Sequence, residues 1–184
     1  MFHEALHEIV TRLAKARTQG LVERFALIGG LAVSIWAEPR ATHDLDFAVA
    51  LQAGSPQSLA AFLHGTYRAG EPGDPLLGVI TACSGMDEKA IPVQLIFLPR
   101  VLSMVAFERM REVSVLACTV PVVAWESLVL LKLYAGGPRD LLDAKQIYMA
   151  QSPDAAARAM VAALAERAGL MEEWEQFRIQ MVKS

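Results

Sequence analysis

The spacing of hydrophobic residues changes several times along residues 1–120, and each change marks a predicted element. Apolar positions three and four residues apart predict an opening helix that ends near Gly20. Short apolar or alternating runs predict five strands, over 25–28, 44–49, 77–82, 91–98 and 110–119. Helical spacing between these strands predicts two short helices, over 31–36 and around 59–63. The interleaving of strands and helices predicts a mixed sheet flanked by helices.

The pattern after Pro121 becomes helical. Apolar residues from Trp125 to Leu131 follow helical spacing, and three more helices are predicted after them. The breaks between these helices fall at Gly136-Gly137-Pro138, at Ser152-Pro153, which supplies a cap and a first-turn proline, and at Gly169.

These elements predict a fold of the α/β or α+β class, a mixed sheet flanked by helices with a helical C-terminal part. We expect an α/β core with an N-terminal helix over 1–120 and a helical region over 121–184 that packs on it. The two parts are expected to form a single compact unit, because 184 residues are typical of one domain.

Composition and charge narrow the class of protein. The chain is 54% hydrophobic, which is enough for a substantial core, and its formal charge of −3 gives no basic field to attract long nucleic acid. The first residues lack a basic stretch followed by an apolar one, and proline, glutamine and arginine interrupt the apolar segment over 90–107. We therefore expect a cytoplasmic protein without a membrane partner. Cys83 and Cys118 lie in apolar stretches and are predicted to be small buried hydrophobes rather than a disulfide.

The candidate chemistry centres on Asp44 and Asp46. On a strand, these two carboxylates would lie on one face about 7 Å apart along the chain. A pair of this kind can bind Mg²⁺, which prefers carboxylate and phosphate oxygens. The Gly29-Gly30 pair comes earlier, between a predicted strand and a predicted helix, where the backbone can approach a phosphate closely. Together the two motifs make transfer of a nucleotidyl group chemically plausible.

Two blocks of sequence resemble a known family. The first is Gly29-Gly30, a helix, and then Arg40-x-Thr42-x-Asp44-Leu45-Asp46. The second is the helix that carries Lys132, followed by Pro138-Arg139-Asp140-Leu141-Leu142-Asp143. In this order they resemble the minimal nucleotidyltransferase fold, and in particular the AbiEii-type toxins of abortive-infection systems and their bacterial relatives. The resemblance covers about residues 20–150.

The resemblance implies an enzyme that moves a nucleoside monophosphate from a nucleoside triphosphate (NTP) to an acceptor, with Mg²⁺ or Mn²⁺ as cofactor. It implies that Asp44 and Asp46 are catalytic metal ligands and that Lys132 neutralises phosphate charge. Asp140 would either hold Lys132 in place or act as a base on an acceptor hydroxyl. The nucleotide-binding residues that it implies are Gly29, Gly30, Arg40 and Thr42.

The chain departs from the family pattern at two positions. Gln94 stands where a third carboxylate is expected on a later strand, and a neutral amide cannot accept a proton from an attacking hydroxyl. Leu31 also replaces the serine that follows the second glycine in many members. Two alternatives stay open: Asp140 or Asp87 substitutes as the acid, or the protein is a catalytically silent nucleotide-binding or interaction module.

Each candidate also has a purely structural interpretation. An Asp-x-Asp pair is common on surfaces, a Gly-Gly pair is often a tight turn, and Lys132 could be a solvated helix lysine. Asp140 and Asp143 could be helix N-cap or first-turn acids that favour the helix dipole.

The sequence is also compatible with several classes of acceptor. The resemblance allows an RNA such as tRNA, a protein or a small molecule such as an aminoglycoside, and it also suggests an antitoxin protein as a partner.

Overall fold

The computed structural model describes residues 2–84 and 90–182, and over these ranges it contains eight helices and seven strands. The helices are α1 (Phe2–Thr18), α2 (Gly29–Trp36), α3 (Pro56–Phe62), α4 (Arg100–Glu108), α5 (Trp125–Ala135), α6 (Pro138–Gln151), α7 (Ala155–Ala168) and α8 (Met171–Val182). The strands are β1 (Val22–Ile28), β2 (Leu45–Leu51), β3 (Thr66–Ala69), β4 (Gly78–Ser84), β5 (Ile91–Phe97), β6 (Met110–Val115) and β7 (Cys118–Val123).

The strands form a mixed sheet in the order β3-β4-β5-β2-β1-β7-β6. Strand β2 lies at its centre, antiparallel to β1 and parallel to β5. Strand β1 is also parallel to β7, and the remaining neighbours are antiparallel. The α/β class predicted from the sequence is confirmed.

The central strand separates the core from the candidate chemistry. Leu45, Phe47 and Val49 of β2 are buried on one face of the sheet, and the Phe47 ring packs edge-on against Phe25 of β1. Helix α1 covers this face, where the buried Ser84 hydroxyl donates to the Ala5 carbonyl at 2.8 Å. Because side chains alternate along a strand, Asp46 lies on the opposite face.

Helix α5 lies on the side of the sheet that carries Asp46, where Leu128, Leu131 and Lys132 line a cleft together with it. Eight of its eleven residues are buried, and it contacts α4, α6, α7 and α8. Because α5 is buried on nearly all sides, its sequence is apolar on nearly all sides as well. Among the described residues, no helix is long and apolar enough to cross a membrane.

Two elements were not predicted. Strand β3 has four residues with mostly exposed side chains, so it carries no hydrophobic alternation to mark it. Helix α4 begins directly after Pro99 and buries Leu102, Val105 and Ala106 at helical spacing. Only Leu98 and Pro99 separate it from β5, so no polar loop marks the boundary in the sequence.

The single strand predicted over 110–119 is wrong, because this segment is a hairpin of β6 and β7. Leu116 and Ala117 form its turn with φ of 49° and 61°, and Val115 pairs with Cys118 across it. Positive φ at both central residues usually requires Gly or Asn, so Leu116-Ala117 does not indicate a turn. Strand β7 also continues through Pro121 to Val123, so the helical part begins later than predicted.

Smaller expectations also fail. Helix α2 begins at Gly29 itself rather than after a glycine turn, and the N-cap of α7 is Asp154 rather than Ser152. Cys118 is buried as predicted, whereas Cys83 is exposed, because its neighbours in β4 are the residues that face the core. The connection predicted over 84–90 lies largely outside the described residues.

Candidate active site

Two neighbouring strands, β2 and β5, place polar side chains side by side on one face of the sheet. Asp46 of β2 pairs with Ile28 of β1 on one side and with Gln94 of β5 on the other. Residues paired in register point to the same face, so the Gln94 side chain lies beside Asp46. The position at which the sequence pattern lacks its third acid is therefore next to the aspartate pair.

The two glycines make room for the side chains around Asp46. Gly29 has φ of 66°, and a Cβ there would lie 1.9 Å from Oδ2 of Asp46. A Cβ at Gly30 would lie 2.6 Å from Oγ1 of Thr42. The Gly30 N–H also donates to the Asp46 carboxylate. In this structure the close approach that glycine permits is therefore to Asp46 and Thr42.

The two carboxylates of the pair have different surroundings. Asp44 accepts a hydrogen bond of 2.9 Å from the Thr42 hydroxyl to its Oδ1 atom. Burial, together with the negative charge of Asp44, raises the pKa of Asp46 to about 6, although Lys132, Arg40 and the Gly30 N–H act in the opposite direction. Two acids placed so closely in a partly buried position favour the binding of a positive charge between them.

Asp143 of α6 is the centre of an ion-pair network behind the aspartate pair. Its side chain is only 3% exposed. Arg40 donates to both of its oxygens, from Nε to Oδ1 and from Nη2 to Oδ2, each at 2.9 Å. Lys132 lies 2.9 Å from Oδ2 of Asp143 and 2.8 Å from Oδ1 of Asp140. One buried carboxylate thus fixes two cations from different parts of the chain.

The sequence alone does not predict this role of Asp143, because its position is typical of a helix-start acid. The N-cap of α6 is Gly137, so neither Asp140 nor Asp143 caps the helix. The available signal was spacing: Asp143 lies one helical turn after Asp140, so both acids can face Lys132 on the adjoining α5. The hydrogen bonds and positive charges of Lys132 and Arg40 outweigh the effect of burial and hold the pKa of Asp143 below its ordinary value.

Two adjoining hollows open at the aspartate pair and share Gly29, Asp44, Asp46 and Lys132. The first, the apolar cleft, has a volume of about 320 Å³. Its further lining includes Gln94, Asp140, Ile96, Leu98, Leu131 and Tyr134. The second, the polar hollow, has a volume of about 250 Å³. Its further lining is Gly30, Arg40, Ala41, Thr42, His43 and Arg139.

The structure therefore brings together all eight residues that the sequence analysis proposed for the site, because each lines at least one hollow. Asp87, proposed as a substitute acid, lies outside the described residues. The Tyr134 hydroxyl donates to the Pro75 carbonyl at 2.7 Å, which joins the loop before β4 to helix α5 at the edge of the apolar cleft.

The donor set fits a divalent cation that is bound together with phosphate. Over the described ranges, no group of three or more His, Cys, Asp or Glu residues is placed to hold a metal. Asp44 and Asp46 supply two carboxylates, and Mg²⁺ is commonly bound by one or two carboxylates, with substrate phosphates and waters as its other ligands. The pair therefore suits an ion that arrives with a nucleotide better than one held by protein alone.

We expect Gly29→Ala to destabilise the protein more than Gly20→Ala. Both glycines have positive φ, 66° and 74°, but a Cβ at Gly20 meets nothing within 4 Å. The alanine at position 29 would also displace Asp46, which adds roughly 2 kcal/mol of overpacking. Denaturant unfolding measures both values, and equal losses of stability would contradict the close contact with Asp46.

We expect Asp143→Asn to lower the free energy of unfolding by about 3 kcal/mol at neutral pH, because Arg40 and Lys132 lose their buried counter-charge. The folded-state pKa of Asp143 lies below its unfolded value, so its stabilisation is complete above that unfolded value and disappears as pH falls through the folded one. The difference between wild type and variant should therefore shrink on acidification from about pH 7 to about pH 3. Urea unfolding across this range tests it, with Asp154→Asn as the control, and a difference that stays constant would contradict it.

Comparison with solved structures identifies known proteins that share the fold of this chain. A nucleotidyltransferase-like antigenic protein from Paracoccidioides brasiliensis has a similar structure, with a TM-score of 0.52 and 13% identity over 93% of this chain and 92% of that one. The structure of ANT(2″)-Ia in complex with adenylyl-2″-tobramycin is also similar, with a TM-score of 0.53 and 13% identity over 87% of this chain and 96% of that one. At such identities the likeness shows the fold alone.

No curated protein matches the chain by sequence. A family model does match it, over residues 12–183, and this model is that of the nucleotidyl transferase AbiEii toxin of type IV toxin–antitoxin systems. Since the match spans both blocks of the site and nearly the whole chain, the protein belongs to the AbiEii nucleotidyl transferase family.

Proposed function

We propose that the protein transfers a nucleoside monophosphate from an NTP to an acceptor, with Asp44 and Asp46 binding Mg²⁺ or Mn²⁺ together with the triphosphate. One observation carries the proposal: the two carboxylates, Lys132 and Gly29 at the start of α2 line both hollows. Family membership supports the reaction class. The divalent ion would supply charge neutralisation at the reacting phosphates.

The polar hollow suits the triphosphate because cationic side chains line it. Lys132, Arg40 and Arg139 line it together with the aspartate pair. Lys132 can neutralise charge that builds up on the transferring group as a compact point charge. Arg40 is fixed by two hydrogen bonds to Asp143, so its position does not depend on the substrate. Preorganised charge of this kind is the main means by which phosphoryl-transfer sites act.

Thr42 and Asp140 act through their neighbours in this proposal. Thr42 orients Asp44 through its hydrogen bond of 2.9 Å. Asp140 is ion-paired with Lys132 at 2.8 Å, which favours the first of its two proposed roles, holding the lysine in place. Both are therefore proposed as positioning residues.

A second candidate function rests on Gln94. Its neutral side chain lies beside Asp46 where an acid would complete the site, and this favours a nucleotide-binding module with little turnover. The two functions share nucleotide binding and differ in whether pyrophosphate is released.

The acceptor and the biological role are part of the same proposal. The family model describes a toxin of a toxin–antitoxin system, which supports an antitoxin protein as partner and a toxin role. RNA such as tRNA, a protein and a small molecule all stay candidates for the acceptor.

We expect Asp44→Asn to weaken binding of Mg²⁺–NTP by at least about tenfold, because one of two carboxylate ligands loses its charge. Isothermal titration calorimetry with each of the four triphosphates measures this, and Asp154→Asn, an exposed N-cap distant in sequence, is the matched control. Wild-type affinity in Asp44→Asn would contradict the proposed site.

We expect the wild-type protein to transfer label from an α-³²P-labelled NTP to one fraction of a total cell extract, either RNA, protein or small molecules. Lys132→Met should lower this labelling by about a hundredfold, since it removes the charge that faces the transferring phosphate. Intact nucleotide binding without labelling of any fraction would instead support the silent module.

A further inference from the structure

The polar hollow contains two side chains that have no partner among the described residues. The polar side chains that line this hollow and do not line the apolar cleft are Arg40, Thr42, His43 and Arg139. Arg40 donates to Asp143, and Thr42 donates to Asp44. His43 and Arg139 form no hydrogen bond or ion pair with another described residue. Both are therefore available to a ligand in the hollow.

The charges around the polar hollow cancel except at Arg139. Arg40 is paired with Asp143, and Lys132 is paired with both Asp143 and Asp140. These two cations and two acids are neutral as a set. A divalent cation would neutralise the aspartate pair in the same way. Among the described residues that line the hollow, Arg139 then has the one positive charge that no acid compensates.

The positions of these two side chains indicate which part of a triphosphate they would contact. The aspartate pair and Lys132 line both hollows, so we expect the reacting α-phosphate where the hollows adjoin. His43 and Arg139 line the polar hollow alone, into which the β- and γ-phosphates would extend. The side chain of Leu31, directly after the glycine pair, has no hydrogen-bond donor to offer these phosphates.

We propose that Arg139 and His43 bind the β- and γ-phosphates and thereby make the site select triphosphates over monophosphates; this inference rests on the proposed nucleotidyl transfer. The Arg139 guanidinium can donate two parallel hydrogen bonds to phosphate oxygens, and its charge strengthens both. An imidazole has at least one N–H donor in either protonation state, so His43 can add a further hydrogen bond. A nucleoside monophosphate lacks the phosphates that receive these bonds.

The same contacts would hold the pyrophosphate that the reaction releases. When the acceptor oxygen bonds to the α-phosphorus, the bond from the α-phosphorus to the bridging oxygen breaks. That oxygen keeps the electron pair and leaves as part of pyrophosphate, which consists of the former β- and γ-phosphates. Pyrophosphate is therefore a probe of the two side chains that does not depend on the nucleobase.

The test is isothermal titration calorimetry of the full chain with Mg²⁺ and three ligands: pyrophosphate, the tightest-binding of the four NTPs, and the monophosphate of the same nucleoside. Arg139→Met should weaken binding of pyrophosphate and NTP at least about tenfold, because charge-assisted hydrogen bonds are lost, and should change monophosphate affinity less than about twofold. His43→Leu should weaken the first two ligands by about threefold, since its donor can be neutral. Arg139→Lys, which keeps the charge, should recover part of the lost affinity.

Lys145→Met is the matched control. Lys145 lies on the same helix as Arg139, and it lines a separate groove beside Leu141 and Leu142 rather than either hollow. The control removes the same charge, and it should leave all three affinities within about twofold of wild type because solvent and salt screen a charge outside the site. Arg139 is exposed, so urea unfolding should give the same stability for Arg139→Met as for wild type.

Equal weakening of triphosphate and monophosphate binding in Arg139→Met would overturn the inference. Unchanged pyrophosphate affinity in this variant, no pyrophosphate binding by the wild type, or an equal loss in Lys145→Met would overturn it as well. In each of these cases, NTP binding that depends on Asp44 would still uphold the proposed function. A wild-type protein that binds none of the four NTPs would remove both.

Discussion

The site depends on the ion pairs that the buried carboxylate of Asp143 forms with Arg40 and Lys132. This carboxylate holds Arg40, which lies 103 residues earlier in the chain, and Lys132, which lies on the adjoining helix α5. Burying three charges is costly unless each is paired, and here each cation has an acidic partner. The network therefore joins the loop before β2 to the helical part and fixes both cations on the wall of the polar hollow.

A second constraint is the close packing of Asp46 against Gly29. The register of β1, β2 and β5 places Asp46 between Ile28 and Gln94, and the missing side chain at Gly29 leaves space for the carboxylate. The glycine pair thus contributes by lacking Cβ atoms, which would collide with Asp46 and Thr42. The same register puts the neutral amide of Gln94 beside Asp46, at the position where the family resemblance leads us to expect a third acid.

The sequence predicted much of this site because its signals are local. Asp46 lies on β2 and Asp44 directly precedes this strand, and Lys132 and Asp140 lie on the consecutive helices α5 and α6. The role of Asp143 could not be predicted, because its partner Arg40 is distant in sequence and tertiary packing alone brings them together. The turn at Leu116-Ala117 was missed for a related reason: pairing of β6 with β7 imposes positive φ on residues that rarely adopt it.

A crystal structure of the full chain with Mn²⁺ and a non-hydrolysable NTP analogue tests most directly whether the aspartate pair and the polar hollow bind a metal ion and a triphosphate together. Anomalous scattering locates manganese independently of the protein density. The predicted result is manganese bound by the carboxylates of Asp44 and Asp46, with the triphosphate in the polar hollow against Lys132. A nucleotide bound elsewhere, or manganese that contacts neither aspartate, would contradict it.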